Sequence, residues 1–439
     1  MAGRRKKPLP VGEFDAEVLD LDHDGRGVAR VNGKVTFIVG ALPGEHVRYR
    51  LTRVTRDIDE AVMVSVEQAS PERVPAPCPH FGVCGGCALQ HLAPEAQIAF
   101  KQKQLLDALR RIGGLTPEAV AEPVRGPIWG YRRRARLGVK HVPKKGGMLV
   151  GFRERDSALV TALTRCDVLD ERIGLRVQAL SDALAGLSIA ARIPQIEVAG
   201  GEHMAIVIRV LSPPTDADRA ALAAFAIEHD FDVYLQPGSP EDLEPLTTAR
   251  PLRYAPDDSP LRLEFLPSDF IQINGALSQR MVRQALDWLA LSPGQSVLEL
   301  FAGLGNFTAP LAAAGALVTA VEGEAGLVAR GRDNLARNGL QARFLRADLF
   351  KPDPHAEWLR GRYDAALLDP PRSGAAEIIP HVAAVKPRRI VYVSCHPATL
   401  ARDAGELVRT HGYRLRRAGV LDMFPHTAHI ESMALFERD

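Results

Sequence analysis

Alternating apolar and polar positions dominate the first part of the chain. Between about residues 11 and 67 the alternation is clearest in His46-Val-Arg-Tyr-Arg-Leu51, and glycines such as Gly25, Gly33 and Gly44 interrupt it. This pattern predicts short strands that have one buried face and one basic face. Short strands joined by glycine turns are typical of a small β-barrel of the oligonucleotide-binding type.

The middle of the chain shows weaker patterns. Residues 94–113 place apolar side chains beside Lys and Arg at helical spacing, which predicts an amphipathic helix. Residues from about 173 to 260 mix Ala-rich stretches with short apolar runs. They indicate an α+β region in which no chemistry is recognisable.

Further along, apolar runs end in glycines or acids, as expected for the strands of an α/β sheet. The segment Val297–Asn306 predicts a strand, a Gly-x-Gly turn and the start of a helix, and a second strand ends at Glu322, 19 residues past Gly303. This spacing is close to that at which a Rossmann acid meets ribose hydroxyls. The missing third glycine favours a cofactor without phosphate, such as S-adenosylmethionine, over a dinucleotide. A generic nucleotide fold with another ligand is the alternative.

Two later strands end in groups that can react. The run Ala365–Leu368 is followed by Asp369, and the run Val391–Ser394 is followed by Cys395. Open α/β sheets place their ligands at the carboxyl ends of the strands, so we expect this carboxylate and thiol to share one edge, with Glu431 as a third reactive group. An ionised Asp can only accept hydrogen bonds, which suits the N3–H of a uracil. The alternative is that Cys395 packs as a small hydrophobe.

The remaining four cysteines suggest a metal site. Cys78, Cys84 and Cys87 lie in a Pro/Gly-rich segment, and Cys166 comes from far along the chain. Four thiolates can hold a tetrahedral zinc or an iron–sulfur cluster, and zinc ribbons usually present two Cys-x-x-Cys pairs where this chain has one. Under the zinc alternative, His80 and His91 are further candidate ligands. These two histidines are otherwise expected to be surface residues.

Basic residues concentrate in one segment. Residues 125–156 hold ten Lys/Arg, among them Lys144 and Lys145, against two acids, whereas the whole chain carries a net charge of only +2. Trp129 and Tyr131 lie among them. Charge interleaved with aromatic rings suits a folded RNA, whose phosphates and unstacked bases would be contacted. The alternative is a solvated surface.

At this point the chain resembles a known family, the RNA (uracil-C5)-methyltransferases. The resemblance lies in five ordered motifs, which start near Phe270, Glu299, Leu368, Val393 and Pro425. Two departures are visible. His396 stands where the family commonly has Asn after the nucleophile, and Ala302 stands where it often has Cys. The His396 departure puts in doubt any hydrogen bond that the Asn amide would make.

The resemblance implies methyl transfer to C5 of a uracil in RNA. The Cys395 thiolate would add at C6, C5 would take the methyl group from S-adenosylmethionine, and Glu431 would remove the C5 proton as general base. Asp369 would hold the N3 edge of the base or contact the cofactor. The residues implied to contact the cofactor are Gln272, Phe301, Asn306, Glu322, Asp348 and Asp369. Asp348 also fits from its position, because it follows the third strand of the α/β pattern, where an adenine would lie.

The resemblance also implies the architecture. Residues 1–70 would form a TRAM domain, which is an RNA-binding barrel of the oligonucleotide-binding type. Residues 71–265 would form a central α+β iron–sulfur domain whose helix 94–113 packs on the catalytic domain. Residues 266–439 would form a Rossmann-like α/β methyltransferase domain. Cys78, Cys84, Cys87 and Cys166 would hold a [4Fe-4S] cluster with a structural role.

In its predicted barrel, its predicted cluster and its length, the chain resembles a branch of the family that acts on one uridine of 23S rRNA. A dual-site 23S rRNA branch and a tRNA enzyme are alternatives, and a non-catalytic RNA-binding or ribosome assembly factor is an alternative of a different class. Because the basic N-terminus precedes polar sequence, we expect no signal peptide, no membrane partner and reduced thiols in the cytoplasm. No obligate protein partner is expected.

Overall fold

The computed structural model describes residues 9–143, 147–239 and 242–438. Lys144 and Lys145 of the basic segment lie outside the described residues. The chain divides into two units. The first comprises the chain up to Lys101 together with Pro425–His429, and the second comprises residues 102–424 and the chain from Ile430 onward.

The first unit contains a mixed sheet. Its strands are β1 (Phe14–Glu17), β2 (Asp20–Leu21), β3 (Gly27–Val31), β4 (Lys34–Val39), β5 (His46–Val54) and β6 (Ile58–Gln68), in the order β1-β5-β6-β4-β3-β2. Neighbouring strands are antiparallel except β4 and β6, which are parallel. In β5 the predicted alternation is confirmed, because Val47 and Tyr49 are buried while Arg48 and Arg50 are exposed. The buried side chains pack with those of β3 and β4 into a small apolar core.

A buried ion pair closes the loops of this unit. Glu45 is fully buried and accepts hydrogen bonds from the backbone N–H groups of Leu42 and Ser70. The guanidinium of Arg73 donates to both Glu45 carboxylate oxygens and to the carbonyl of Gly40. One carboxylate therefore ties the loop before β5 to the segment that follows β6. Burial alone would raise the pKa of Glu45, but the bonds from Arg73 and Leu42 hold it below its usual value.

The segment that follows the sheet ends in a helix. The helix α1 (Pro94–Ala108) continues as a π-helical turn over Leu109–Gly113, and Gly114 ends it with a φ of +67°. The predicted helix over residues 94–113 is therefore confirmed, although Lys101, expected on its polar face, is buried. A left-handed residue at this place is a usual helix end, and glycine adopts it without steric cost.

The second unit opens with a mixed sheet covered by helices. Its elements are β8 (Arg134–Val142), β9 (Gly147–Gly151), α2 (Glu171–Gly174), α3 (Val177–Ala185), β10 (Gln195–Gly200), β11 (Met204–Arg209), α4 (Asp216–His229), β12 (Phe231–Gln236) and β13 (Glu244–Pro245). The strand order is β13-β12-β11-β10-β8-β9. The helices α3 and α4 pack against β9 and β12. A capping box at Thr215 and Asp218 begins α4.

The rest of the second unit is a Rossmann-like sheet with flanking helices. Its elements are β14 (Leu252–Tyr254), β15 (Leu263–Phe265), α5 (Gly275–Leu289), β16 (Ser296–Leu300), α6 (Thr308–Ala313), β17 (Leu317–Glu322), α7 (Ala325–Arg337), β18 (Arg343–Arg346), β19 (Ala365–Leu368), α8 (Ile379–Ala384), β20 (Arg389–Ser394), α9 (Pro397–Arg409), β21 (Arg414–Leu421) and β22 (Glu431–Glu437). The sheet has the order β18-β17-β16-β19-β20-β22-β21-β7, where β7 is Ala119–Val120. The predicted Rossmann-like α/β fold is confirmed.

Strand direction in this sheet determines where its ends meet. The strands from β18 to β20 are parallel, while β22 runs antiparallel to both β20 and β21. The hairpin β14–β15 belongs to the same apolar core, and Glu264 exchanges backbone hydrogen bonds with the side-chain amide of Asn334 on α7. The carboxyl ends of β16, β17, β19 and β20 therefore share one edge. Among the described residues, the helices are too short or too polar to cross a membrane.

We expect Arg73→Met to reduce the free energy of unfolding by about 3 kcal/mol, because it leaves the buried Glu45 carboxylate without its cation. Since the pKa of Glu45 is lowered on folding, the pair's contribution is complete above the unfolded-state value of about 4.3 and is lost as the pH falls through the folded-state value. Urea unfolding of both proteins across this pH range measures the effect.

The matched control is Arg48→Met. Arg48 pairs with Glu13 at 3.2 Å, but its side chain is 45% exposed. We expect a loss below 1 kcal/mol for this variant. Equal losses in the two variants would contradict a special role for the buried pair.

Candidate active site

Strand register brings the three predicted reactive residues to one edge. Asp369 follows β19, whose last residue pairs with Tyr392 of the parallel strand β20. At the end of β20, Ser394 pairs with Ser432 of the antiparallel strand β22. The next position on each strand is Cys395 and Glu431, which therefore lie opposite each other at the end of the ladder. The structure thus assembles a thiol and two carboxyl groups around one point.

These three groups sit in a poorly solvated, acidic environment. Burial raises the pKa of Asp369 to about 7. Burial, with a smaller effect from the negative charge of Asp369, raises the pKa of Glu431 well above its usual value. Burial and the charges of Glu431 and Asp369 raise the pKa of the Cys395 thiol to about 11, against a lowering effect of Arg372. The thiol is therefore protonated at neutral pH in the free protein, and both carboxyl groups are stronger bases than usual.

Gln272 connects this edge to the sheet that precedes it. Its side-chain amide donates to Asp369 at 3.5 Å, and its backbone carbonyl accepts from Arg133 Nε at 2.8 Å. The Arg133 guanidinium lies over the ring of Tyr254, 4.5 Å from the centroid, and the Tyr254 hydroxyl donates to Asn306 Oδ1 at 3.2 Å. The chain Gln272–Arg133–Tyr254–Asn306 thus holds two predicted cofactor residues in place.

The glycine-rich turn after β16 is fastened to the end of β17. Glu322 accepts hydrogen bonds from the N–H groups of Gly303, Gly323 and Glu324, at 3.0, 2.7 and 2.9 Å. Phe301 has a φ of +62°, a strained conformation for a non-glycine residue, and such strain is often found at ligand sites. The predicted residues Phe301 and Glu322 therefore lie beside the same turn.

The other predicted cofactor residues lie around this turn or after the next strand. The Asn306 amide donates to Ser278 Oγ at 3.5 Å. Asp348 is exposed just past β18 and accepts from the N–H groups of Phe350 and Lys351. The Phe350 ring packs against that of Phe301, with their centroids 5.8 Å apart. The structure therefore connects the loop that follows β18 to the glycine-rich turn.

Glu299, on β16 just before the glycine-rich turn, was not among the site residues predicted from the sequence. Its side chain is buried at the end of β16, and one carboxylate oxygen accepts from Thr308 Oγ1 at 2.7 Å. Burial, with a smaller effect of the charges of Asp369 and Glu322, raises its pKa to about 8. An acid inside an otherwise apolar strand was the available signal.

A buried Asp403 holds together the loops that carry Asp369 and Cys395. Asp403 accepts from the Tyr392 hydroxyl at 2.6 Å and from the Ala375 N–H at 2.8 Å, and it pairs with Arg402. Ala375 belongs to the loop that follows Asp369, while Asp403 lies on α9, which begins two residues after Cys395. Sequence reasoning did not single out this network.

The turn at Cys395 is held by short-range hydrogen bonds around His396, the residue that departs from the family pattern. The His396 N–H donates to Ser394 Oγ at 3.1 Å, and Thr399 Oγ1 donates to the His396 carbonyl at 3.0 Å. Across the ladder, Ser432 Oγ donates to the Ser394 carbonyl at 3.2 Å. These bonds fix the backbone on both sides of the thiol, and the His396 side chain adds a contact of 3.4 Å between its Nδ1 and Thr399 Oγ1.

The four remaining cysteines are all partly or fully buried. Cys78, Cys84 and Cys87 belong to the first unit, and Cys166 belongs to the second. In the first unit the N–H of Gly86 points at the Cys84 sulfur at 3.4 Å, and the N–H of Cys84 donates to the carbonyl of His80. The segment therefore folds into tight turns, one of which directs a backbone N–H at the Cys84 sulfur.

Part of the basic segment serves the protein's own packing. The guanidinium of Arg132 lies 5.1 Å from the centroid of the Phe152 ring. Arg134 donates to the carbonyls of Pro267 and Ser268, at 3.3 and 3.1 Å. With Arg133 held at Gln272, the three consecutive arginines all have partners inside the second unit. Sequence reasoning had assigned this segment to contact with a folded RNA, with a solvated surface as the alternative.

Comparisons with known proteins agree with this geometry. Residues 256–347 and 359–439 match the family model "tRNA (Uracil-5-)-methyltransferase", and residues 10–70 match the TRAM domain. The chain is 53% identical to the 23S rRNA (uracil(1939)-C(5))-methyltransferase RlmD of Alkalilimnicola ehrlichii, across 100% of this chain and 99% of that protein. It is 49% identical to the protein of the same name from Methylococcus capsulatus, across 99% of both chains.

A solved structure is similar along nearly the whole chain. The Pyrococcus abyssi tRNA (uracil-54, C5)-methyltransferase in complex with S-adenosyl-L-homocysteine is 25% identical, with a TM-score of 0.74 over 96% of this chain and 99% of that one. The N-terminal TRAM domain predicted from the glycine-rich strands is confirmed. Since relatives of about half-identical sequence cover its full length and Asp369, Cys395 and Glu431 lie in the matched region, the chain belongs to the tRNA (uracil-5-)-methyltransferase family.

Proposed function

We propose that the protein is an S-adenosylmethionine-dependent methyltransferase that forms 5-methyluridine at position 1939 of 23S rRNA, the position in the names of its relatives. The observation that carries the reaction is the meeting of Cys395, Glu431 and Asp369 at one sheet edge. The full-length relatives at 49 to 53% identity support the rRNA target over tRNA, which the more distant solved structure names.

C5 of uracil is a weak nucleophile, so the protein must supply a nucleophile that adds to the ring and activates C5. The Cys395 thiolate adds at C6, and the electron pair that is released makes C5 nucleophilic. S-adenosylmethionine supplies the methyl group that C5 takes. Glu431 then removes the C5 proton, the C5–C6 double bond re-forms and the thiolate leaves. The raised pKa of Glu431 suits this role, because a carboxylate in a poorly solvated site is a better base.

Asp369 has two possible partners. As a carboxylate it can accept from the uracil N3–H, and the bond from Gln272 orients it for such a contact. Equally, it lies at the end of β19 next to the glycine-rich turn and can contact the cofactor. We propose that Gln272, Phe301, Asn306, Glu322, Asp348 and Asp369 bind the cofactor. The connected turn, with its strained Phe301, supports this set.

We further propose that Cys78, Cys84, Cys87 and Cys166 hold a [4Fe-4S] cluster. The donor set fits, because all four cysteine side chains are partly or fully buried, and a backbone N–H directed at sulfur, as at Cys84, stabilises a cluster thiolate. A cluster with four cysteine ligands has no open iron and would stabilise the structure. Zinc with the same thiolates is the second candidate.

The proposed architecture follows the predicted division into a TRAM barrel (1–70), a central domain (71–265) and a catalytic domain (266–439), in a protein of the cytoplasm. The competing functions are a dual-site 23S rRNA enzyme, a tRNA enzyme and a non-catalytic assembly factor. Mapping 5-methyluridine in rRNA and tRNA from a deletion strain separates them. Loss at one 23S position supports the proposal, loss at two supports the dual-site enzyme, and loss in tRNA alone contradicts it.

For the nucleophile, we expect Cys395→Ala to abolish methyl transfer while the affinity for S-adenosylmethionine, measured by calorimetry, stays within about twofold, because the thiol acts on the base. A 5-fluorouridine substrate should trap the unmodified enzyme covalently. Since the thiol pKa is about 11 in the free protein, the trapping rate should rise with pH above neutrality. Turnover by the Ala variant above a few per cent of the wild-type value would contradict the assignment of Cys395 as the nucleophile.

For the base, Glu431→Gln keeps the shape of the side chain but cannot accept the C5 proton. We expect methylated adduct to accumulate as a protein–RNA band that resists denaturation, while turnover falls by at least about a hundredfold. The control is Glu437→Gln at the far end of the same strand, where the carboxylate pairs with Arg389 and Arg416. It should turn over normally. Normal turnover by Glu431→Gln without adduct would move the base elsewhere, with His429 the next candidate.

For the metal, anaerobically purified protein should be brown and contain about four irons per chain. Single Cys→Ser changes at positions 78, 84, 87 and 166 should each lower the iron content, whereas Cys395→Ser should not. Elemental analysis with electronic spectra reports the outcome. One zinc and no iron per chain would replace the cluster by the second candidate.

A further inference from the structure

The strand β8 divides the basic segment between two faces of its sheet. Ala135, Leu137 and Val139 are buried, whereas the intervening Arg136 and Lys140 are exposed. Because side chains alternate along a strand, one face of the sheet is apolar and the other carries charge. The charged face therefore results from the alternation of side chains along β8, so its basic residues lie on a strand and not in a loop.

A pocket of about 360 Å³ lies on this charged face. Its described charged lining residues are Arg134, Arg136, Arg209 and Glu197, which leaves two positive charges in excess. Register explains the grouping. Glu197 of β10 pairs directly with Arg136 of β8, and Gln195 of β10 pairs with Arg209 of β11.

The arginine side chains of the pocket differ in how many of their N–H donors are already bonded within the protein. Arg136 contacts Glu197 at 2.8 Å, which fixes its guanidinium while leaving 68% of the side chain exposed. Arg209 is exposed, and no described residue pairs with its guanidinium. The Arg134 guanidinium instead donates to the carbonyls of Pro267 and Ser268. Donors for a ligand are therefore available from Arg136 and Arg209.

We propose that this pocket binds a backbone phosphate of the RNA substrate, with Arg136 and Arg209 as the contacting residues; the inference rests on the proposed function. A guanidinium presents a planar fork that matches phosphate oxygens, and two such forks beside one acid leave the surplus charge that an anionic polymer requires. Gln195 and Gln236 at the wall offer further donors, and none of the described lining residues has an aromatic ring on which a base could stack. The occupant is accordingly the sugar–phosphate backbone.

The pocket is connected to the active site through adjacent residues. Arg134 fixes the carbonyls of Pro267 and Ser268, in the loop that leads to Gln272. Arg133, the residue immediately before β8, donates to the backbone carbonyl of Gln272. A phosphate seated here is thus held by the strand that also positions Gln272, so the pocket would set the distance between the RNA backbone and the target base.

The test measures binding of an unmodified 23S rRNA transcript to the full-length protein over a series of KCl concentrations. Each of Arg136→Ala and Arg209→Ala should reduce the slope of log K against log salt by about 0.7 to 0.9, as expected for one lost phosphate contact. Because both residues contact one phosphate, the double variant should lose no more than this amount in total, with a matching loss of affinity. The affinity for S-adenosylmethionine, measured by calorimetry, should stay unchanged in all variants.

The control is Arg219→Ala on α4, which removes the same charge from a residue paired with Glu244 at 2.7 Å. It should leave the slope unchanged. If Arg136→Ala and Arg209→Ala both keep the wild-type slope and affinity, the phosphate site is overturned while the proposed function stands. If the unaltered protein fails to bind or methylate the transcript, the proposed function fails, and the inference fails with it.

Discussion

The antiparallel pairing of β22 with β20 is the constraint on which the candidate site depends. It places Glu431 opposite Cys395 at the end of a ladder that is buried from Ile390 to Ser394 on β20 and from Ser432 to Phe436 on β22. Because side chains alternate along a strand, a slip of one residue would turn Glu431 to the other face. The buried residues Met433 and Leu435 oppose such a slip, since it would exchange their environments as well. Apolar packing in the middle of the strand therefore sets the chemistry at its end.

Electrostatics gives this edge a second property. Glu299, Asp369 and Glu431 all have raised pKa values because they are withdrawn from water, and neighbouring acids add to the effect at Glu299 and Glu431. A region that concentrates carboxyl groups in low dielectric is costly while it is empty, and a positively charged ligand relieves that cost. The sulfonium and ammonium groups of S-adenosylmethionine are of this kind. The same acids that make the thiol hard to ionise thus favour the cofactor that the reaction needs.

Sequence reasoning found what is local. Cys395, Asp369 and the glycine-rich turn follow apolar runs directly, so their positions at strand ends could be predicted from a few neighbouring residues. Contacts between distant residues could not be. Arg133 meets Gln272 across 139 positions, and nothing in the run of arginines from 132 to 134 separates that residue from its neighbours. The role of Asp403 could not be predicted for the same reason, because its hydrogen-bond partners Ala375 and Tyr392 come near it only in the folded protein.

The path of the chain between β21 and β22 has a consequence for how such a protein can be divided. After Phe424 the chain joins the first unit for the residues Pro425–His429 and returns at Ile430, one position before Glu431. Within that excursion the His426 carbonyl accepts from the N–H groups of Ala88 and Leu89, and its own N–H donates to Gln97. The first unit is consequently a discontinuous domain. It cannot be exchanged or removed by a single cut, and any fragment that begins after it leaves the approach to Glu431 without its hydrogen-bond partners.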